Sequence, residues 1–115
     1  MKLFVENTGQ VIDLSRTRLI ADSGIKRHYD SEGYYGDRQT WLYQAGDTFY
    51  EVIQDYVPRT TGWKGVLDRG NAVVHQDSDK RCYERSLRDV GFMLRMIGWS
   101  TDAIEQFQTK EASHA

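Results

Sequence analysis

The stretch TWLYQAGDTFYEVIQDYV, residues 40–57, reads two ways, and the choice decides the fold. As strands, Thr40–Gln44 and Thr48–Asp55 flank Ala45-Gly46-Asp47 and form a hairpin. The run from Thr48 to Ile53 is rich in β-branched and aromatic side chains, which suit a pleated, half-buried surface. As a helix, Trp41, Ala45, Phe49, Val52 and Tyr56 make an apolar stripe at helical spacing. Thr48 and Glu51 would then form a capping box, and Pro58 would stop the helix. Gly46 in mid-helix would cost about 1 kcal/mol relative to Ala. That cost favours the hairpin.

Downstream, DKRCYERSLRDVGFMLRMIGW (residues 79–99) carries Tyr83, Leu87, Val90, Leu94 and Ile97 at alternating spacings of four and three. The spacing predicts an amphipathic helix over 79–97, with Arg81, Arg85, Arg88 and Arg95 turned to water. Asp77, Ser78 and Asp79 supply capping oxygens at its start, and Gly98 marks its end. A short helix over 101–108, capped by Ser100 or Thr101, closes the fold, and 109–115 reads as a frayed tail. The long helix must bury its stripe, and nothing after it is large enough to cover it. Its partner surface must come from residues 1–75.

Upstream, Lys2–Val5 and Gln10–Asp13 flank the turn signal Asn7-Thr8-Gly9 and read as a hairpin. Arg18–Ala21 reads as a third strand, the alternative being a short helix begun at Ser15. Residues 22–38 are polar, with Gly24, Gly33 and Gly36, and read as a long irregular loop. Residues 59–71 read as loop and 72–75 as a short strand. The expectation is one α+β domain over 1–115: a curved antiparallel sheet of five to six short strands, the long C-terminal helix packed on one face, and the short helix closing an end. The expected core is Leu3, Val5, Ile12, Leu19, Ile20, Trp41, Tyr43, Phe49, Val52, Val73, Leu87, Val90, Leu94 and Ile97.

Composition narrows the function classes. The chain has 115 residues, enough for one modest core. Its 15 Lys and Arg against 17 Asp and Glu give a net charge of −2, so no general field draws nucleic acid or an anionic membrane. No segment has the length and apolarity of a membrane span, and none at the start resembles a signal peptide. The single cysteine, Cys82, has no internal disulfide partner and makes no cysteine zinc site. A soluble protein in the reducing cytoplasm is the expectation.

No catalytic set emerges. His75, Asp77 and Asp79 alternate as metal ligands on an extended backbone would, but they are too few, and capping accounts for both aspartates. His28 and Asp30 could orient a general base, yet no nucleophile is placed beside them. Cys82 falls on the first turn of the expected helix, where Lys80 and Arg81 could lower its pKa; a structural thiol is the favoured reading. Gly33 and Gly36 lack the strand and the Lys-Ser or Lys-Thr of a phosphate loop. No cofactor or metal is called for. Phe92, Met93 and Met96 form a soft flank of the helix, as core filler or a dimer contact.

Aromatic and basic side chains do gather around the central hairpin. Tyr34, Tyr35, Trp41, Tyr43, Trp63 and Arg38 are the candidate binding surface. Such mixtures bind single-stranded nucleic acid, but Asp37, Asp47, Asp55 and Asp68 are interleaved here and weaken the field. Aromatics and Arg are also the usual anchors of protein interfaces. The expected function is therefore non-enzymatic binding through protein–protein contact or self-association. The alternative is a small-molecule binder with an aromatic pocket between sheet and helix. A small hydrolase using His28 or His75 ranks third.

Two resemblances accompany this reading. GQVIDLSRTRLIA (9–21), TWLYQAGDTFYEV (40–52) and STDAIEQF (100–107), with a helix before the last, resemble small uncharacterised bacterial proteins of accessory and mobile gene pools. The matching residues are Gly9, Val11, Asp13, Leu19, Ile20, Ala21, Leu42, Tyr43, Gly46, Phe49 and Asp102–Glu105; segment 58–75 departs from the pattern. That resemblance implies an antiparallel sheet with C-terminal helices and no activity. RDVGFMLRMI (88–97) is similar to the bilin-binding helix of phycobiliproteins, and QAGD (44–47) to an earlier stretch of those chains. That family is longer and all-helical, would turn 37–57 into a helix, and would place its chromophore cysteine at Ser86, where no thiol stands.

Overall fold

A computed structural model describes residues 1–30, 33–56 and 80–113, and for 28–30 and 33–36 the backbone alone. The fold is α+β, with antiparallel strands followed by two C-terminal helices. The strands are β1 (Lys2–Phe4), β2 (Val11–Asp13), β3 (Arg18–Asp22), β4 (Lys26–Asp30), β5 (Gly33–Ala45), β6 (Thr48–Tyr56) and β7 (Arg81–Arg85). The helices are α1 (Leu87–Ile97) and α2 (Thr101–Ala112).

The 40–57 segment is the hairpin that the strand reading requires. β5 and β6 pair in unbroken register from Asp37 opposite Tyr56 to Ala45 opposite Thr48. The two-residue link is Gly46-Asp47, with Gly46 at φ 60°, a conformation that tight hairpin turns demand and glycine adopts without strain. The 2–13 hairpin also forms, as β1 on β2, and Arg18–Asp22 is a strand. A single 3-10 turn, Leu14–Arg16, precedes it; Asp13 caps that turn, and its Oδ1 accepts from Ser15 N and Oγ.

Two expected segments differ. Residues 22–38 are largely paired rather than irregular: β4 lies antiparallel on the first half of β5, and β3 on the second half, along the same edge. Between them the chain breaks at Ser23-Gly24-Ile25. Ser23 substitutes for a strand residue there: its N–H donates to Thr40 O and its Oγ accepts from Thr40 N, both at 2.9 Å. The polar composition of this stretch concealed the pairing because a ladder is satisfied by its partner strand, not by the hydrophobicity of its own residues. β5 is thus 13 residues long, not one of several short strands.

The second difference is at the long helix. Residues 81–85 are β7, and the helix spans only 87–97. β7 pairs with β6 from Arg81 opposite Ile53 to Arg85 opposite Phe49. Alternation and a helical stripe share the Tyr83-to-Leu87 spacing, which is how the strand was mistaken for helix. A local signal was present: Ser86 and Asp89 stand three apart, and Ser86 Oγ accepts from Asp89 N at 3.2 Å as the true N-cap. Two of the arginines assigned to water make ion pairs instead. Arg85 meets Glu51 at 2.8 Å and Arg81 meets Asp55 at 3.1 Å.

α1 ends in a Schellman motif: Gly98, at φ 113°, donates to Arg95 O, and Trp99 donates to Leu94 O. Ser100 caps α2 by accepting from Ala103 N. α2 continues to Ala112, past the residue where fraying was expected. Glu111 Oε2 accepts from Gln44 Nε2 at 2.7 Å, and that tie holds the last turns of α2 to the sheet.

The sheets are a five-stranded one, in the order β3-β5-β6-β7 with β4 also on β5, and the separate two-stranded β1–β2. Side chains alternate across a strand, so the large sheet has two faces. One carries Leu42 and Phe49 and packs on Val90, Met93 and Leu94 of α1, with Phe107 of α2 edge-on to Phe49 and to Trp99, each at 5.9 Å. The other carries Trp41, Tyr43, Tyr50, Val52 and Cys82, and Leu3, Val5 and Ile12 of the N-terminal hairpin pack over it. That hairpin also grips the outer edge of β7. Glu6 N donates to Cys82 O, and the Asn7 side-chain amide makes both hydrogen bonds of a strand rung with the backbone of Glu84.

Most expected core positions are buried or half-buried here, but Leu19 is 50% exposed. A bulge between Leu19 and Ala21 shifts the register, and Ala21 and Ile20 take the place beneath α1 instead. Leu42, Tyr50, Tyr56, Met93 and Cys82 are buried positions that the expected core omitted. Val73, the 72–75 strand, the 59–71 loop and the Asp77–Asp79 caps lie outside the described residues. Among the described residues, no helix is long and apolar enough to cross a membrane.

Candidate functional site

The six aromatic and basic candidates do not share one face. Trp41 and Tyr43 stand on the hairpin-facing side of β5 as half-buried packing partners of Val5, Val52 and Cys82. Lys80 Nζ sits 5.2 Å from the Trp41 ring centre, in cation–π range. Burial, and then the Asp22 carboxylate, push the Tyr43 phenol above its usual range. Arg38 lies on the opposite, helix-facing side, where Nε and Nη2 clamp the Asp55 carboxylate at 2.6 and 3.2 Å. Tyr34 is placed opposite Tyr29 on the β4–β5 arm, with Tyr35 next to it where the register shifts. Trp63 lies outside the described residues. The aromatic content of the central hairpin therefore goes largely into holding the N-terminal hairpin in place.

Cys82 is a core residue of β7 rather than a residue of a helical first turn, and it is 0% exposed. Burial first, and then the Glu51 and Glu6 carboxylates, push its thiol up to about 11. A thiol so placed holds its proton at neutral pH and has no path to a substrate. His28 is on β4, where only the backbone is described, and His75 is outside the described residues.

Two surface features remain. The first is the outer side of the helical layer. Phe92 and Met96 stand one turn apart on α1 and are 62% and 82% exposed, whereas Met93 is buried. Beside Phe92 an open groove of about 490 Å³ runs between the helices, with Arg88, Gly91 and Arg95 on the α1 side and Ile104 and Glu105 on the α2 side. At Gly91 the flexible end of the Gln108 side chain of α2 lies over the α1 backbone, where a Cβ would push it aside. Asp102 and Glu105 continue along the outer wall of α2. Among the described residues, Arg88, Arg95, Asp102 and Glu105 form no ion pair within the chain. The groove therefore has Arg88 and Arg95 on one wall and one carboxylate, Glu105, on the other, and among the described residues none of the three is matched within the chain.

The second feature is a smaller cleft of about 190 Å³ between the C-terminal half of α1 and the sheet. Met93, Met96 and Ile97 form its apolar side, and Lys26, Arg38 and Glu51 its charged side. The sheet–helix pocket expected for a small ligand thus exists, but the described residues that line it include no Tyr or Trp. Lys26 was concealed in the sequence by the reading of 22–38 as a loop. Phe92 and Met96 were visible as a soft flank, although nothing local said which of the three apolar residues would face outward.

No known protein family matches the chain, and neither a curated protein nor a solved structure does.

Proposed function

We propose that this is a non-enzymatic binding protein that works by protein–protein contact, in the first instance with a second copy of itself, through the outer face of α1 and α2. The observation that carries the reading is the exposure of Phe92 and Met96 on one helix face, against a groove with unmatched charge on both walls. A large aromatic and a flexible thioether left in water are costly unless something covers them. A two-fold contact is self-complementary, so residue i of one copy meets residue j of the other, and j meets i. Arg88 and Arg95 of one copy then oppose Asp102 and Glu105 of its mate, twice over. Among the described residues no strand pairs with the outer edge of β3, but that edge is a poorer candidate. β3 is five residues long, carries Arg18 and Asp22 and is broken by a bulge, and such features discourage strand addition. In this reading the protein acts in the cytoplasm, and its resemblance to products of mobile and accessory genes gives it a bacterial accessory role.

Sedimentation equilibrium tests the proposal. The wild-type chain is expected to sediment as a dimer at micromolar concentration, and the Phe92→Ser/Met96→Ser variant as a monomer with unchanged circular dichroism. Arg88→Glu should weaken the dimer, and adding Glu105→Arg should restore it. A wild-type chain that stays monomeric, or a dimer indifferent to both sets of substitutions, overturns it.

A further inference from the structure

The cleft beneath the end of α1 shares Met96 with the association surface, but that surface does not explain the rest of its composition. Its apolar side is two methionines and an isoleucine from α1, and its opposite side is the charged row of the sheet. That row follows from register: Lys26 opposes Arg38, Arg38 opposes Asp55, and Arg81 reaches the same Asp55 from β7. Glu51 is matched by Arg85, whose Nε and Nη2 both reach its Oε1. Among the described residues, this row and its neighbours on the same face hold four cations, Lys26, Arg38, Arg81 and Arg85, and two carboxylates, Asp55 and Glu51. Within that set the cations outnumber the carboxylates by two, in a chain whose net charge is −2. Lys26 is the least committed of these cations. Its Nζ donates once, to Ile97 O at 3.2 Å, and an ammonium has three protons to give.

We propose that this cleft binds a small amphipathic anion, with its carboxylate or phosphate head on Lys26 and Arg38 and its apolar body against Met93, Met96 and Ile97. The volume sets the size class. At about 190 Å³ the cleft is smaller than the pockets that enclose drug-sized ligands, and it suits a short-chain acid or alkyl phosphate. Methionine side chains suit a ligand of variable chain length, because they repack at little cost. The geometry also provides a consequence of binding. Lys26 Nζ ties β4 to the last carbonyls of α1, so an anion competing for that ammonium would act on the C-terminal turn of the helix that carries Met96.

The test is an NMR titration of the isotope-labelled wild-type chain with hexanoate, butyl phosphate, hexanol and hexylamine. Hexanoate or butyl phosphate should shift amides of Ser23–Arg27, Thr40 and Met93–Ile97 in a saturable way, and which of the two binds more tightly identifies the head group. Hexanol and hexylamine should bind at least tenfold more weakly. Lys26→Met should weaken the preferred anion about tenfold, and Lys26→Arg should retain most of the affinity. Thermal melts of both variants check that they fold. Three results overturn the proposal: no saturable shift with either anion up to about 10 mM, where even a binding free energy near 3 kcal/mol would register; equal affinity for hexanol; or unchanged affinity in Lys26→Met. Because Met96 also belongs to the association surface, the titration is repeated at protein concentrations on both sides of any dimer midpoint, and the same three results overturn the proposal in either state.

Discussion

Asn7 is the residue on which docking of the N-terminal hairpin can be tested most directly. Its Nδ2 donates to Glu84 O at 2.9 Å and its Oδ1 accepts from Glu84 N at 2.8 Å, so one side chain acts as the next rung of the sheet. Each neutral hydrogen bond contributes about 0.5–1.5 kcal/mol net. Asn7 is exposed, so in Asn7→Ala water recovers part of what Glu84 loses, and the loss should be about 1 kcal/mol. Asn7→Asp keeps the acceptor for Glu84 N–H but sets a carboxylate oxygen against Glu84 O, so it should cost more, about 2 kcal/mol. Urea denaturation followed by circular dichroism gives both values, and hydrogen exchange gives the local signature. The Glu84 amide should exchange faster in Asn7→Ala, whereas amides in the β5–β6 ladder change only with global stability. If Glu84 is protected equally in Asn7→Ala and wild type, or if Asn7→Asp is as stable as wild type, the side chain is not closing the edge of β7.

Two further outcomes follow from the core. Leu94 is fully buried between α1 and the sheet, so Leu94→Ala should cost about 3 kcal/mol in urea unfolding, and a loss below about 1 kcal/mol would mean that the helical layer is loosely seated. Cys82 gives a pH dependence whose sign is fixed: its folded thiol, at about 11, lies above the ordinary 9.0, so its contribution is complete below about pH 9 and is lost as pH rises toward 11. The loss should be about 2 kcal/mol, and Cys82→Ala should flatten this part of the stability profile while the raised phenols of Tyr43 and Tyr50 still titrate in both chains; an unchanged slope would refute the assignment.

The candidate site was legible in parts. That Phe92, Met93 and Met96 form a flank of a helix could be read from spacing, because helical periodicity is a local property. Which of them stays in water could not, since that depends on how α1 is seated between the sheet and α2. The cationic cleft was not legible at all. Lys26, Arg38 and Met96 are far apart in the chain, and only the register of β4 on β5 and the crossing of α1 bring them to one place.

The central hairpin was determined by the sequence alone. Gly46 costs helix and suits a turn, and the β-branched and aromatic run after it prefers a pleated surface, so both local preferences point the same way. The N-terminal hairpin and the stop at Gly98 were fixed by the same kind of short-range chemistry. Only the tertiary structure decided that 81–85 is strand, because these residues carry both periodicities and the vacant edge of β6 selects one of them. It also decided that Trp41 and Tyr43 lie beneath a cover instead of open to a partner. That cover is held by Asn7 across 77 residues of chain, and no local pattern records a contact whose energy exists only once both ends have arrived.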